Sequence, residues 1–150
     1  MRLDELKVYQ KSMELGDKCW HIVVKWSYFE KDTIGKQLVK SADSVAANIS
    51  EGYGRFHFKE NIHFNYIARG SLFETKTWID KAFARELITE TQMYELRSLI
   101  NEVAKMLNAY IAKIGSSVVN EIEIQYGEGF TKDPFSNDFL NSQNPQTSGQ

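Results

Sequence analysis

The stretch Tyr53-Gly54-Arg55-Phe56-His57-Phe58-Lys59 interleaves aromatic rings with cationic side chains. Rings stack on unpaired bases while guanidinium and ammonium groups neutralise phosphates, the combination by which proteins hold single-stranded nucleic acid. Tyr53, Arg55, His57 and Lys59, with His63 four residues further on, are therefore the candidate contacts to RNA or another partner. In an oligomer they would line a rim or conduit. The competing account makes Phe56 and Phe58 a staple that pins the following helix to the core, with Arg55 and Lys59 left in water.

Catalytic chemistry finds less support. Glu60-Asn61-Ile62-His63 has the Glu-x-x-His spacing of carboxylate di-metal bundles, but such a centre needs a second copy and two further glutamates from facing helices. The sequence holds no second copy. His21, His57 and His63 are not spaced i, i+4 from one another, so no helical histidine pair is offered to zinc. Gly52-x-Gly54 lacks the third glycine of a dinucleotide loop and follows a helical pattern rather than a strand. Cys19 is the single cysteine, so no intramolecular disulfide can form, and its neighbour Trp20 points to a buried structural thiol. The expectation is a protein with no metal, no cofactor and no catalytic site.

A third constellation is architectural. In Ser41-Ala42-Asp43-Ser44-Val45-Ala46-Ala47-Asn48-Ile49-Ser50-Glu51-Gly52-Tyr53-Gly54-Arg55, a face of small residues runs into two glycines. Small side chains let a neighbouring backbone approach, and Gly52 and Gly54 can take the positive φ that ends a helix. Arg69, between Ala68 and Gly70, is expected beside a close helix crossing, where its guanidinium needs a carboxylate from Glu51 or Glu74. Asn48 is expected to bond backbone near the same crossing.

The elements that position these residues read as helices. Both prolines, Pro134 and Pro145, lie near the end of the chain, so the rest is free of the commonest helix breaker. Apolar spacing predicts four segments, roughly Leu3 to Ser27, Thr33 to Ser50, His57 to Arg85, and Thr89 to Ile114. The first carries a broad apolar face that includes Met13, Cys19 and Trp20. The second carries one stripe, Ile34, Leu38, Ala42, Val45 and Ile49. In the third, Phe64, Ala68, Ser71, Thr75 and Ala82 run beside Ile62, Tyr66, Leu72, Phe73, Ile79 and Phe83, so it should touch neighbours on two sides. The fourth opens on a capping box, Thr89 to Gln92, and repeats Leu96, Ile100, Val103, Leu107, Tyr110 and Ile114 at alternating spacings of four and three. Short connections near Phe29 to Asp32, Gly52 to Phe56 and Glu86 to Ile88 fold these into an all-α, antiparallel, up-down-up-down four-helix bundle.

The 150 residues suit one core. Residues 1–115 are expected to form the bundle and 116–150 a mostly flexible, acidic and polar C-terminal tail, with Val118 to Tyr126 able to dock as an extended segment. The first 115 residues hold 17 Lys plus Arg against 15 Asp plus Glu, a net of +2, and the remainder a net of −4. That balance denies the bundle the overall basic face by which nucleic-acid binders usually gain affinity, although Thr33 to Arg85 stands at +3. No stretch has the roughly 18 apolar residues of a membrane span, and the N-terminus lacks a secretory apolar core, so a cytoplasmic protein with no membrane partner is expected.

Asn48-Ile49-Ser50-Glu51-Gly52-Tyr53-Gly54-Arg55, followed by Ala68-Arg69-Gly70-Ser71 and Glu74, and preceded by Leu6-Lys7-Val8-Tyr9-Gln10, resembles the signature of a bacterial four-helix-bundle family, the proteins encoded by intervening sequences in large-subunit ribosomal RNA genes. The likeness runs from about Leu6 to about Ile114. It departs at Phe29-Glu30, where the family often has Phe-Pro, at Ala46, where it has proline, and at Lys40-Ser41, where it has Arg-Ala.

The resemblance implies a homo-oligomer, with a ring-like pentamer favoured, and no enzymatic activity. Relatives of that family include the accessory variability determinant of diversity-generating retroelements, a basic pentamer that binds a reverse transcriptase and nucleic acid. The broad face of the first helix and the two-sided third helix fit self-association independently, because a lone bundle buries one stripe per helix. The expected function is a non-enzymatic oligomeric interaction module for RNA or an RNA-associated protein; the alternative is a purely structural or protein-binding homo-oligomer with no nucleic-acid contact.

Overall fold

The computed structural model of the protein describes residues 1–126. A 3-10 turn, Leu3–Glu5, leads into four long helices: α1 (Lys7–Val23), α2 (Lys36–Tyr53), α3 (Phe58–Ala84) and α4 (Glu90–Tyr126). Among the described residues there is no strand. The chain divides after Gly115 into two units, and the first, Met1–Gly115, holds the bundle. Its short connections turn each helix back on the one before, giving the up-down-up-down arrangement.

The predicted stripes are the core. Ile34, Leu38, Ala42, Val45 and Ile49 are all buried, as are Leu96, Ile100, Val103, Leu107 and Ile114, with Tyr110 half-buried. Val8, Leu15 and Cys19 of α1 and Ala68, Leu72 and Ile79 of α3 complete one cluster with the first set and with Leu96, Ile100, Val103 and Leu107. Truncating a fully buried leucine such as Leu72 to alanine in such a core costs about 2–5 kcal/mol. Ion pairs tie α4 to its neighbours from outside: Arg97 to Asp80 at 2.6 Å, and Lys11 to Glu102 at 3.7 Å.

Capping chemistry sets the helix starts. Thr89 N–H donates to Gln92 Oε1 at 2.9 Å and Gln92 N–H donates to Thr89 Oγ1 at 3.1 Å, the predicted box. A second box lies where the sequence suggests a loop. Ser27 N–H donates to Glu30 Oε2 at 2.8 Å, and Glu30 N–H donates to Ser27 Oγ at 3.4 Å. Helix therefore restarts at Tyr28, and the first turn falls at residues 24–27 instead of Phe29 to Asp32. The Tyr28–Glu30 turn passes through a π-helical segment, Lys31–Gly35, directly into α2, and Lys36 N–H donates to Lys31 O, five residues back.

Two expectations about glycines and the tail are corrected. Gly52 lies within α2 and Gly54 caps it at φ −76°, ψ −5°, so neither ends the helix by a positive φ. The left-handed residue is Glu86, φ 61°, in the turn from α3 to α4. Residues 116–126, expected within a flexible or extended tail, instead continue α4 to Tyr126. No Gly or Pro occurs between Gly115 and Gly127 to stop the helix. The rest of the expected tail, 127–150, lies outside the described residues.

Candidate functional site

The hairpin of α2 and α3 is held by close approach at Gly52. A Cβ there would lie 2.7 Å from Asn61 Oδ1, 2.9 Å from Asn61 O and 3.0 Å from Phe64 Cβ. Only a residue without a side chain admits α3 at this distance. Beneath the contact, buried Asn65 donates from Nδ2 to Asn61 O at 2.8 Å and Oδ1 at 2.7 Å, while Asn61 Nδ2 reaches the Tyr110 hydroxyl at 3.5 Å. Asn65 Oδ1 has no hydrogen-bond partner. Asn48 bonds backbone as expected, donating from Nδ2 to Ser44 O at 2.8 Å in its own helix.

Arg69 departs from expectation. It is exposed and lies over the Phe73 ring at 5.9 Å, and it forms no ion pair with Glu51 or Glu74. Glu51 instead pairs with Arg55 at 2.5 Å, and Glu74 accepts from Trp78 Nε1 at 3.1 Å. The reason is the placement of Gly70, which has no neighbouring atom within 4 Å of where its Cβ would stand. Gly70 therefore marks an open helix face and not a crossing, so no buried carboxylate is required beside Arg69.

The aromatic and cationic loop is exposed throughout. Phe56 is 93% exposed and meets His57 edge-on at 5.0 Å, so it does not staple α3 to the core. Arg55 is partly committed, bonded to Glu51 and stacked 4.7 Å over the Phe64 ring. The Tyr53 hydroxyl donates to Met1 O, which ties the loop to the N-terminus. His57, the residue before α3, and Lys59 project into solvent.

Lys59, His63, Tyr66, Gly70 and Phe73 follow one another at spacings of four, three, four and three, which places them on a single face of α3, and all five are exposed. Tyr66 is 52% and Phe73 59% exposed. The structure thus joins Lys59, His63 and Gly70 on one surface that continues the Phe56 loop. Tyr66 and Phe73 are the members that sequence reasoning assigned to helix packing; Gly70 between them was the available signal, since a helix buried on both sides would fill that position.

Burial, with the nearby charge of Asp43 adding to it, pushes the Cys19 thiol up to about 12, where it is not a nucleophile. Burial would raise Asp80, but bonds from Arg97 and Lys76 outweigh it and hold the carboxyl below its usual range, as in a structural ion pair. Among the described residues no three His, Cys, Asp or Glu side chains converge on a metal-sized position. No described helix is long and apolar enough to cross a membrane.

A four-helix bundle with an exposed aromatic and cationic hairpin defines the class. The family model described as 23S rRNA-intervening sequence protein matches residues 4–109, and the chain belongs to that family. A solved structure described as a protein of unknown function from the S23 ribosomal protein family of Bacteroides thetaiotaomicron is similar to it, with 25% identity and a TM-score of 0.63, over 69% of this chain and 97% of that one. No curated protein matches the chain.

Proposed function

We propose that this protein is a non-enzymatic, cytoplasmic interaction module that assembles as a homo-oligomer, with a pentamer favoured, through the outer face of α3, and presents the Tyr53 to Lys59 loop to RNA or an RNA-associated protein. The observation that carries the reading is the exposed stripe Tyr66, Gly70 and Phe73, two aromatic side chains either side of open space, which a second copy can fill. Lys59 and His63 continue that stripe toward the loop, so assembly would array the cationic loops around one rim. Family membership supports the reading only as far as the bundle itself.

The second reading, a homo-oligomer that binds protein or serves structure alone, is favoured by Arg55. Its guanidinium is already bonded to Glu51 and stacked on Phe64, so a phosphate would have to displace a neutralised partner. Light-scattering mass decides between them, measured alone and with a short unstructured RNA at low salt. The proposal expects a multiple of the protomer mass that falls on Phe73→Glu, and RNA uptake that is lost on replacing Arg55 and Lys59 with Glu. A protomer-sized particle overturns the assembly. RNA uptake that survives the double charge reversal overturns the loop assignment, and an oligomer that ignores RNA selects the second reading.

A further inference from the structure

The groove between α1 and α2 changes sign along its length. At one end a hollow of about 350 Å³ beside Met13 carries Asp17 and Asp43. At the other, a hollow of about 530 Å³ walled by Trp20 and Val24 carries Lys31, Lys36 and Lys40. Met13 and Trp20 are both about half exposed, at 45% and 54%.

Neither charge set is neutralised within the protomer. Among the described residues Asp17, Asp43, Lys31 and Lys40 form no ion pair, and Lys36 pairs at 3.0 Å with exposed Asp32, a contact that water screens. The Asp43 carboxylate is set tightly against α1: a Cβ on Gly16 would lie 2.5 Å from its Oδ1. Burial, and then the charge of Asp17, hold the Asp43 carboxyl above its usual range, so two like charges face one another across the helices with no cation between them. An external cation is what this half of the groove lacks, and an external anion is what the other half lacks.

Both needs are met by the same object. On α2, Lys36, Lys40 and Asp43 share one stripe, and Asp43 stands seven residues, about 10 Å, from Lys36. Along α1 and its C-cap, Asp17, Trp20 and Val24 form the facing stripe. A copy of the chain laid antiparallel on the groove, with its two-fold axis crossing between Lys40 and Asp43 beside Trp20, sets the acidic half of each copy against the basic half of the other. We propose that the α1–α2 groove is a two-fold contact between copies of this chain, in which Asp17 and Asp43 of each copy meet Lys40 of the other, with Lys36 one turn further out, around a buried Trp20 core. A two-fold contact uses one patch twice, so self-complementary charge is its signature. This contact is separate from the α3 face and would link assemblies that the α3 face builds.

The test is a charge exchange. In a Phe73→Glu background, which isolates the groove from the α3 contact, the chain is expected at twice its 17.3 kDa mass. The pair Lys36→Glu, Lys40→Glu leaves Lys31 as the one cation of the groove, and the pair Asp17→Lys, Asp43→Lys removes both of its acidic groups. Each variant alone should run at protomer mass with unchanged helical circular dichroism, and an equimolar mixture should recover the double mass, with recovery lost in high salt. All five sites altered are exposed, and because Asp43 also lies against Gly16, the circular dichroism is the check that Asp43→Lys keeps the fold. Double mass persisting in both single variants, a mixture that stays at protomer mass, or a Phe73→Glu parent already at protomer mass overturns the proposal. If Phe73→Glu leaves the mass of the natural sequence unchanged, the α3 reading fails on its own, and the charge exchange made in the natural sequence still judges the groove.

Discussion

The hydroxyls of Ser41 and Thr75 lie 3.0 Å apart, buried where α2 crosses α3. Each also has a carbonyl of its own helix in reach, Leu38 O at 3.1 Å from Ser41 and Ser71 O at 2.8 Å from Thr75. Two protons serve three contacts. One hydroxyl therefore donates across the crossing while the other donates to its own helix.

That sharing predicts strong coupling. Ser41→Ala and Thr75→Val should each cost about 1 kcal/mol, because the surviving hydroxyl can still satisfy itself on its own helix. The double variant should cost measurably less than the sum, by about 0.5–1 kcal/mol in urea denaturation. Additive costs would show that the two hydroxyls act independently.

Gly52→Ala should destabilise the hairpin by about 1–3 kcal/mol, since the new methyl meets the backbone oxygen of Asn61 as well as its side chain. Gly115→Ala is the control. Open space surrounds that position within α4, so alanine should leave stability unchanged or raise it by up to about 1 kcal/mol. Thermal melts of the two variants moving in the same direction would contradict the account of Gly52.

The Asp80 carboxyl titrates below its usual range in the fold, so its ion pairs with Arg97 and Lys76 contribute stability that is present above the unfolded value, about 3.9, and lost as pH falls through the folded value. Asp80→Asn should lower the melting temperature at neutral pH and flatten its decline below about pH 4. An unaltered pH profile would remove Asp80 from the acid transition. Because this pair is about a third exposed, added salt should shrink the difference.

Cys19 is fully buried with its thiol pushed up to about 12, so alkylating and disulfide reagents should leave the native protein unlabelled at pH 8. One thiol per chain should appear on denaturation. Stoichiometric labelling under native conditions would mean that the α1 core opens far more readily than its packing implies.

The bundle was legible because burial imposes period on sequence: the α2 stripe and the α4 stripe through Leu107 are the core, residue for residue. The Thr89 box was legible because capping chemistry is local. What periodicity does not distinguish is a core from an outer apolar face. Trp20, Tyr66 and Phe73 carry the right spacing yet stand exposed, so spacing alone overstates the core. Arg69 was misplaced for a related reason, because a glycine in a helix can mark either a close crossing, as at Gly52, or an open face, as at Gly70. The buried pair Asn61 and Asn65 left no trace, since polar residues on a core stripe look like interruptions of it.

The π-helical segment Lys31–Gly35 gives the start of the hairpin an unusual tolerance. Each of its wider turns stores one residue more than an α-helix of the same height, as the bond from Lys36 N–H to Lys31 O shows. Loss of a single codon there can be absorbed by tightening the coil to ordinary α geometry, leaving Leu38 and everything after it in phase. The same loss a few residues later, inside α2, would swing every downstream side chain by about 100° and turn the core stripe outward. In this fold, length variation between homologous chains is thus expected to collect at Lys31–Gly35 and to spare the two helices on which the hairpin depends.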